Sequence, residues 1–463
     1  MKTKQTTALM SVLLWISAAG IRAQEQTDSN TPLHLLQPDY DTEYGIPVTE
    51  DITGVLDRIH NYLDSTTPAQ LLDESGGEVT DVSDIASSER LRLEGGDFRI
   101  ISYEWGVTYA GMLLASEVTG DEKYADYTFD RMKFLAEIRP HVMEFEKRHQ
   151  GGRHPLNSVL HPRALDDAGS MCAAMIKAED AGLHADLSPM IHTYIDHISH
   201  HQLRLDDGTL ARNRPQPSTL WLDDLFMSVP ALAQMGKYTG EHKYFDDAVR
   251  QVLQFSERMF VEEKGLYMHG WVTGMEEHPA YHWARANGWA MMAIVELLEV
   301  LPADHSGRDE VLDLLQQHIS GLSMYQSPRG FWHQLIERND SYLETSSTAI
   351  FTYSIARAIN RGWVDAKVYG PVVCLAWNAV ASKVNEKGQV EGTCVGTGMG
   401  FDPAFYYYRP VSRFAAHGYG PVILAGAEMI EMLKHTHPRM NDSAVQFYDK
   451  PVRAEGPIFS VEE

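Results

Sequence analysis

The chain of 463 residues has a formal charge of −25 at pH 7 and a pI near 5.2. This acidic balance excludes the basic surface that a nucleic-acid-binding protein needs, and it argues against adhesion to an anionic membrane. Hydrophobic residues make up 44% of the chain and charged residues 22%, which is typical of a globular protein. The length suits one large domain or two to three average ones.

The first 23 residues have the layout of a secretory signal peptide. Lys2 and Lys4 precede an apolar run over residues 8–19, and we expect cleavage after Ala23. The run is too short for a stable membrane anchor. Cleavage removes three basic and no acidic residues, so the net charge falls from −25 to −28. We therefore expect an exported protein, periplasmic or secreted, without a membrane anchor.

The hydrophobic pattern is helical nearly throughout residues 51–440, which we interpret as one domain between an N-terminal linker (24–50) and a C-terminal tail (441–463). Short hairpin strands are predicted in 264–272 and 330–337. The candidate helices are 51–64, 98–117, 121–138, 164–179, 187–204, 218–236, 241–261, 280–301, 308–325, 342–361, 365–383 and 417–435. The three cysteines are too few for a disulfide framework, so they are either buried thiols or one bridged pair with a free thiol.

Two similar turns indicate that the helices are paired. Residues 119–124 and 239–244 each end one helix at Thr-Gly, begin the next with an acidic residue and place a Tyr in its first turn. This pattern is typical of a helical hairpin. Six hairpins can close into an (α/α)6 barrel, and an open solenoid is the alternative. Because solenoids keep a tight repeat length and the connections here are long and irregular, we expect the closed barrel.

The segment 218–230 places two acidic residues inside an apolar run that we predict to be a core helix. At least one of Asp223 and Asp224 must face the packed side of this helix or a cavity, where a carboxylate is costly unless it has a partner or a function. Trp221 is close enough to form one wall of a small pocket. The alternative is a buried structural aspartate.

Two further segments combine polar and aromatic residues at helix starts. Trp283 and Trp289 flank Arg285, an arrangement that suits a sugar ring stacked on an aromatic face beside polar groups. The alternative is a pair of core tryptophans with a structural ion pair. Asp166 and Asp167 form a second acidic pair, for which helix capping is the alternative to a second catalytic carboxylate.

Nothing in the sequence indicates a metal ion or organic cofactor. His197, His200 and His201 share one predicted helix, but the His-Glu-x-x-His pattern of a zinc protease is absent. The glycine-rich segment 396–400 is followed by Phe-Asp-Pro rather than by a helix, so it does not match a dinucleotide-binding loop.

Five segments, in order, resemble glycoside hydrolase family 105, the unsaturated rhamnogalacturonyl hydrolases and their glucuronyl relatives. Family 88 is similar to it and shares its fold. The segments are 163–169 (Arg-Ala-Leu-Asp-Asp-Ala-Gly), 221–227 (Trp-Leu-Asp-Asp-Leu-Phe-Met), 282–289 (His-Trp-Ala-Arg-Ala-Asn-Gly-Trp), 342–347 (Tyr-Leu-Glu-Thr-Ser-Ser) and 417–421 (His-Gly-Tyr-Gly-Pro). The resemblance covers about residues 98–436 and implies an (α/α)6 barrel.

The resemblance also implies the chemistry. Such enzymes remove the 4,5-unsaturated uronic acid that polysaccharide lyases leave at the non-reducing end of small oligosaccharides. It implies that Asp223, its pKa raised by apolar surroundings, protonates C4 while water adds at C5, and that Asp167 assists it. Many relatives have Gly or Thr at the position of Asp224, so the choice between Asp223 and Asp224 stays open. The resemblance implies substrate contacts by Trp221, His269, Trp283, Arg285 and Trp289.

Two alternatives remain at this stage. One is another (α/α)6 glycosidase, or a polysaccharide lyase, that acts on saturated chains. The other is a secreted glycan-binding protein without turnover.

Overall fold

The computed structural model describes residues 26–27, 29–31, 36, 38–79, 85, 88–150, 153–441 and 444–452. The predicted signal peptide lies outside these residues. Twelve helices dominate the described part of the chain. They are α1 (Thr49–Thr66), α2 (Tyr103–Thr119), α3 (Glu122–Arg148), α4 (Leu165–Asp180), α5 (Ser188–Asp196), α6 (Val229–Thr239), α7 (His242–Met259), α8 (Ala284–Val300), α9 (Arg308–Ser323), α10 (Thr345–Asn360), α11 (Ala366–Ala381) and α12 (Tyr419–His435).

The even-numbered helices form a closed inner ring. Each of α2, α4, α6, α8, α10 and α12 packs against the next, and α12 packs against α2. The odd-numbered helices lie outside the ring: α1 packs against α12, and the other five pack against their neighbours in sequence. The architecture is therefore the predicted (α/α)6 barrel, and the closed ring excludes the open solenoid.

The difference between inner and outer helices follows from their sequences. In α7, an outer helix, apolar residues such as Phe245, Val252 and Phe255 occupy one face and charged residues the other. In α8, an inner helix, every residue from 284 to 298 is buried, as expected for a helix enclosed on all sides.

Both Thr-Gly turns join the two helices of a hairpin, as predicted. Gly120 and Gly240 end α2 and α6 in the left-handed conformation, with φ of 74° and 72°. Glycine, which has no side chain, adopts this conformation at little cost, so the chain reverses at each turn directly into the next helix. Because inner helices alternate with outer ones that run the opposite way, the N-termini of all six inner helices lie at one mouth of the barrel.

Short two-stranded sheets connect the helices. The pairs are β1 (Leu71–Leu72) with β2 (Arg92–Leu93), β3 (Thr219–Trp221) with β6 (Gly270–Val272), β4 (Phe260–Val261) with β5 (Leu266–Tyr267), β7 (Trp332–His333) with β8 (Leu343–Glu344), and β9 (His437–Asn441) with β10 (Ala444–Tyr448). All are antiparallel. β10 lies within the segment interpreted as a tail, and its Phe447 packs against Gly370 of α11.

The continuous helix predicted for 218–236 is wrong in its first half. Residues 219–221 form β3, Leu222–Leu225 form one 3₁₀ turn, and the helix begins at Val229 with Pro230 in its first turn. The reason is the pairing of β3 with β6, which satisfies the backbone groups that a helix would otherwise satisfy internally.

All three cysteines are buried and free, so none forms a disulfide. No helix in the described ranges is long and apolar enough to cross a membrane.

Candidate active site

The β3–β6 pair brings Asp223 next to His269. Trp221 pairs with Gly270, and the backbone N–H of Leu222 donates to the carbonyl of His269 at 3.0 Å. The 3₁₀ turn then directs Asp223 toward the imidazole, whose Nε2 lies 3.0 Å from Asp223 Oδ2. The side chain of Asp223 is 12% exposed and that of His269 is fully buried. The carboxylate therefore meets solvent at one edge while the imidazole supports it from behind.

The pKa of Asp223 is lowered, whereas the sequence analysis expected it to be raised. Burial alone raises the pKa of this carboxyl, but the charge and hydrogen bond of His269, together with the charge of Arg212, bring it below its ordinary value. The prediction of a raised pKa was wrong because it considered only the apolar surroundings. An ionised carboxylate accepts hydrogen bonds, so Nε2–H of His269 is the donor in this pair.

His269 is itself held by a second contact. Its Nδ1 lies 2.7 Å from the hydroxyl of Tyr406, and that hydroxyl accepts the backbone N–H of Gly400 at 3.0 Å. Tyr406 belongs to the loop between α11 and α12. The chain Tyr406–His269–Asp223 thus fixes both the orientation and the tautomer of the imidazole.

Asp224 points away from Asp223 into an ion-pair network. Its side chain is fully buried, and Nε of Arg212 donates to both of its oxygens at 2.9 and 2.8 Å. The same guanidinium binds Asp166 through two hydrogen bonds of 2.9 and 2.8 Å. Burial raises the pKa of Asp224 to about 6, although Arg212 opposes the rise. Of the two aspartates, only Asp223 therefore keeps contact with solvent, and Asp224 supports its loop.

The second acidic pair divides in the same way, but not as predicted. The carboxylate of Asp167 accepts the backbone N–H of Arg163 at 2.9 Å, and its charge acts on His197 behind α4. Asp166, not Asp167, joins Arg212. Successive helical residues point about 100° apart, so only one of the two can face this network. The structure does not bring Asp167 into contact with Asp223.

Trp221 is a half-buried aromatic side chain two residues before Asp223. The guanidinium groups of Arg212 and Arg214 lie 4.6 and 4.8 Å from its ring centroid, and its Nε1 donates to the carbonyl of Arg214. A Cβ added at Gly398 would lie 3.3 Å from the ring. Trp221 thus has a fixed orientation, as a stacking surface for a sugar requires.

The other predicted substrate contacts are buried. Trp289 is 1% exposed and stacks on Phe226 at 4.8 Å between ring centroids. Trp283 is also 1% exposed and lies between His269 and Arg285. Both tryptophans pack beneath the site rather than on its surface.

Arg285 uses its guanidinium on the protein itself. It donates to the carbonyls of Cys394 and Val395, each at 2.7 Å, and to Ser346 at 3.3 Å. It therefore holds the loop at residues 394–400 in place, and its positive charge reaches the site from below. Asp223 and Tyr103 both raise the pKa of Arg285, which places them within electrostatic range.

A polar cluster that the sequence analysis missed joins α2 to the segment before α12. The hydroxyl of Tyr103 lies 2.5 Å from Nε2 of His417, and Glu104 lies 3.5 Å from the same nitrogen. Burial raises the pKa of Glu104, and burial with the charge of Arg285 brings the pKa of His417 well below its ordinary value. The His-Gly-x-Gly-Pro segment was a signal for His417, but no motif marked Tyr103 or Glu104.

A basic groove of about 880 Å³ borders this mouth of the barrel. Ile101, just before α2, and Arg163, just before α4, belong to its lining. Five arginines line it together with the acidic residues Glu94 and Asp97, and none of these arginines forms an ion pair with another described residue. They are Arg90, Arg92, Arg99, Arg153 and Arg163. In a chain with a net charge of −25, such a local basic surface is typical of a site for an acidic ligand.

Comparison with curated proteins gives several relatives, among them hydrolases of unsaturated sugars. The chain is 29% identical over 215 residues to an unsaturated 3S-rhamnoglycuronyl hydrolase from Alteromonas sp., a match that covers 45% of this chain and 51% of the relative. It is 26% identical over 248 residues to the unsaturated rhamnogalacturonyl hydrolase YesR of Bacillus subtilis, covering 52% and 70%. The chain thus spans about half the length of the first of these relatives.

Solved structures show the same fold. A possible member of family GH105 from Klebsiella pneumoniae superimposes with a TM-score of 0.66 at 24% identity, covering 88% of this chain and 98% of the other. The family model described as Glycosyl Hydrolase Family 88 matches residues 78–433. This match includes all five motif segments and the inner ring of helices, so the chain belongs to glycosyl hydrolase family 88.

Proposed function

We propose that the protein is a hydrolase that removes a 4,5-unsaturated uronic acid from the non-reducing end of lyase-generated oligosaccharides. The observation that carries this proposal is the pair of Asp223 and His269, a partly exposed carboxylate 3.0 Å from a buried imidazole. The names of the two relatives support it, since both act on unsaturated glycuronyl substrates by name.

The reaction is the hydration of a vinyl ether. Asp223 delivers a proton to C4, and the positive charge that develops at C5 is stabilised by the ring oxygen. Water then adds to C5 and returns its proton to Asp223. The resulting hemiketal opens and releases the neighbouring sugar. No displacement occurs at the anomeric carbon, so the two-carboxylate spacing of ordinary glycosidases is not required.

The lowered pKa of Asp223 determines where the proton is stored. At neutral pH the carboxyl is ionised in the free site, so it needs a proton donor. Nε2–H of His269 is the nearest candidate on the buried side. In this step His269 acts as an imidazolium: its Nε2 proton moves to Asp223 when the anionic substrate displaces water from the carboxylate, and the neutral imidazole that remains keeps its Nδ1–H on the hydroxyl oxygen of Tyr406.

Two features support an acidic substrate. The inner helices present their N-termini at the mouth, where backbone N–H groups and helix dipoles favour negative charge. The basic groove extends this preference for negative charge beyond the first sugar. We infer that the substrate is an oligosaccharide with acidic groups on more than its terminal unit.

The test is an absorbance assay. The conjugated acid of a lyase product absorbs in the ultraviolet, and its hydration destroys this band. We expect the purified protein to remove the absorbance of unsaturated rhamnogalacturonan or glucuronan fragments. A lyase would instead create the absorbance from intact polysaccharide, and a glycan-binding protein would leave it unchanged.

We also propose that the protein is exported by residues 1–23. Expression in a host with a secretion pathway, followed by N-terminal mass analysis of the recovered protein, should give a mature chain beginning near Gln24. A chain that starts at Met1 would contradict this proposal.

A further inference from the structure

A second cluster of ligand-type side chains lies where α3 ends. Glu146 is in the last turn of α3, and His154 and His161 belong to the loop that leads to α4. Oε1 of Glu146 lies 2.6 Å from Nε2 of His161 and 3.7 Å from Nε2 of His154. The three ligand atoms all lie within 4.8 Å of one another.

Among the described residues, no hydrogen bond accounts for the burial of the His154 side chain. Its side chain is 0% exposed, yet neither ring nitrogen has a hydrogen-bond partner in that part of the chain. A buried polar group without a hydrogen-bond partner is destabilising, because it has lost its contacts with water and gained none in return. The hydrogen bond between Glu146 and His161 does not relieve this cost, because it leaves both nitrogens of His154 unpaired.

We propose that Glu146, His154 and His161 bind a divalent transition-metal ion, with Zn²⁺ the best match. Two imidazoles and one carboxylate are a ligand set that zinc commonly takes, with a further position left for water. Tetrahedral bonds of about 2.0–2.1 Å place ligand atoms about 3.3 Å apart. The distances of 2.6 and 3.7 Å lie on either side of that spacing, so small side-chain movements suffice.

The site is separate from the Asp223 pair, and its role is structural. Metal binding would fasten the loop at residues 154–161 to the end of α3. The same loop contributes Arg153, Pro155, Asn157 and Ser158 to the lining of the basic groove. The metal therefore fixes one wall of the groove without contacting the reacting sugar.

The experiment uses the full chain, stripped with EDTA, dialysed and titrated with ZnCl₂ by calorimetry. We expect one Zn²⁺ per chain and a rise in Tm on binding. His161→Ala should weaken binding at least tenfold, by the scale on which even indirect metal partners act. The side chain of His161 is 51% exposed, so this variant should fold.

Two further variants make the result decisive. Glu146→Gln keeps a hydrogen-bonding group beside His161 but removes the carboxylate ligand, so it should also lose the metal. His200→Ala removes an exposed histidine with a carboxylate partner at 3.0 Å, outside the cluster, and should bind zinc as the parent does. Absence of stoichiometric binding, or full affinity in His161→Ala or Glu146→Gln, would overturn the proposal.

Discussion

Nε2 of His269 lies 3.0 Å from Oδ2 of Asp223, and this contact joins two segments 46 residues apart. Each partner is delivered by one strand of the β3–β6 pair, so the backbone sets their separation before any ligand arrives. Tyr406 fixes the other face of the imidazole. A carboxylate held in this way is preorganised, which lowers the cost of reaching the reactive geometry.

His269→Gln tests whether the pair stores the catalytic proton. The pKa of Asp223 is low, so at neutral pH this carboxyl is ionised and the proton that it delivers must come from Nε2 of its partner His269. Without His269 the proton must sit on Asp223 alone, and a carboxylic acid loses its proton at lower pH than an imidazole. We expect the alkaline limb of the kcat/KM profile to move to lower pH, by about one unit or more.

The control for this variant is His278→Gln, which changes a histidine beside Trp271 outside the pair. The pH profile of kcat/KM for His278→Gln should coincide with that of the parent. An alkaline limb that stays in place in His269→Gln would show that the proton comes from elsewhere.

Asp223→Asn should remove the reaction while preserving the fold. The amide cannot deliver or accept the proton, and general acid–base groups contribute about 10²–10⁴-fold to rate. We therefore expect kcat to fall by at least that range in the absorbance assay. The Tm should change little, because the amide can still accept a hydrogen bond from Nε2 of His269. Near-parental kcat would show that Asp223 is not the acid.

Asp224→Asn should reduce the stability of the protein more than its activity, the reverse of Asp223→Asn. Asp224 is fully buried against Arg212, and removing one charge leaves the guanidinium with Asp166 as its only carboxylate partner among the described residues. Breaking a buried pair costs about 3–5 kcal/mol. We expect a clear fall in Tm by calorimetry, with activity measured below that temperature reduced less than in Asp223→Asn. An unchanged Tm would contradict the network.

The barrel could be predicted because its signals are local. Helical periodicity and the two Thr-Gly turns lie within single hairpins, and together they predicted a closed ring of hairpins. The segment 218–225 was different. Leu220, Leu222 and Leu225 fit a helix and a strand almost equally well, and the pairing partner Gly270–Val272 lies some 50 residues further on. No pattern within the segment itself reveals such a partner.

The site shows the same division. The Trp-x-Asp spacing identified Asp223, but its pKa depends on a histidine from another segment. Asp166, not Asp167, binds Arg212, because only the packed helix decides which of two adjacent acids faces that guanidinium, and the role of Asp167 toward the sugar stays a prediction. Trp289 lies in a motif, yet Phe226 covers it. Residue identity is readable from sequence, whereas side-chain direction depends on tertiary packing.

Arg99→Gln tests the basic groove. Arg99 is exposed, lines the groove and forms no ion pair with the described residues, so its charge is available to a ligand. We expect KM for a long acidic oligosaccharide to rise severalfold with kcat unchanged, and added salt to raise KM in the parent more than in the variant. Lys133→Gln on the outer helix α3, whose side chain is 60% exposed, is the matched control. Equal KM values in both variants would exclude the groove from substrate binding.

Gly169→Ala tests how the barrel positions Asp223. A Cβ at Gly169 would lie 1.9 Å from the carbonyl oxygen of Met227, so α4 and the segment after Asp223 cannot both keep their places. The N–H of Met227 donates to the carbonyl of Asp223 at 3.1 Å, which passes any displacement to the catalytic residue. Overpacking of this kind costs about 1–3 kcal/mol.

The matched control is Gly54→Ala in the outer helix α1, where the nearest atom to an added Cβ is 3.9 Å away. An alanine there should raise stability slightly, because glycine in a helix interior costs about 0.5–1 kcal/mol. We therefore expect Gly169→Ala to lower both Tm and kcat, while Gly54→Ala keeps kcat and holds or raises Tm. If Gly169→Ala retained full activity, the close approach of α4 to the Asp223 segment would not be what positions the carboxylate.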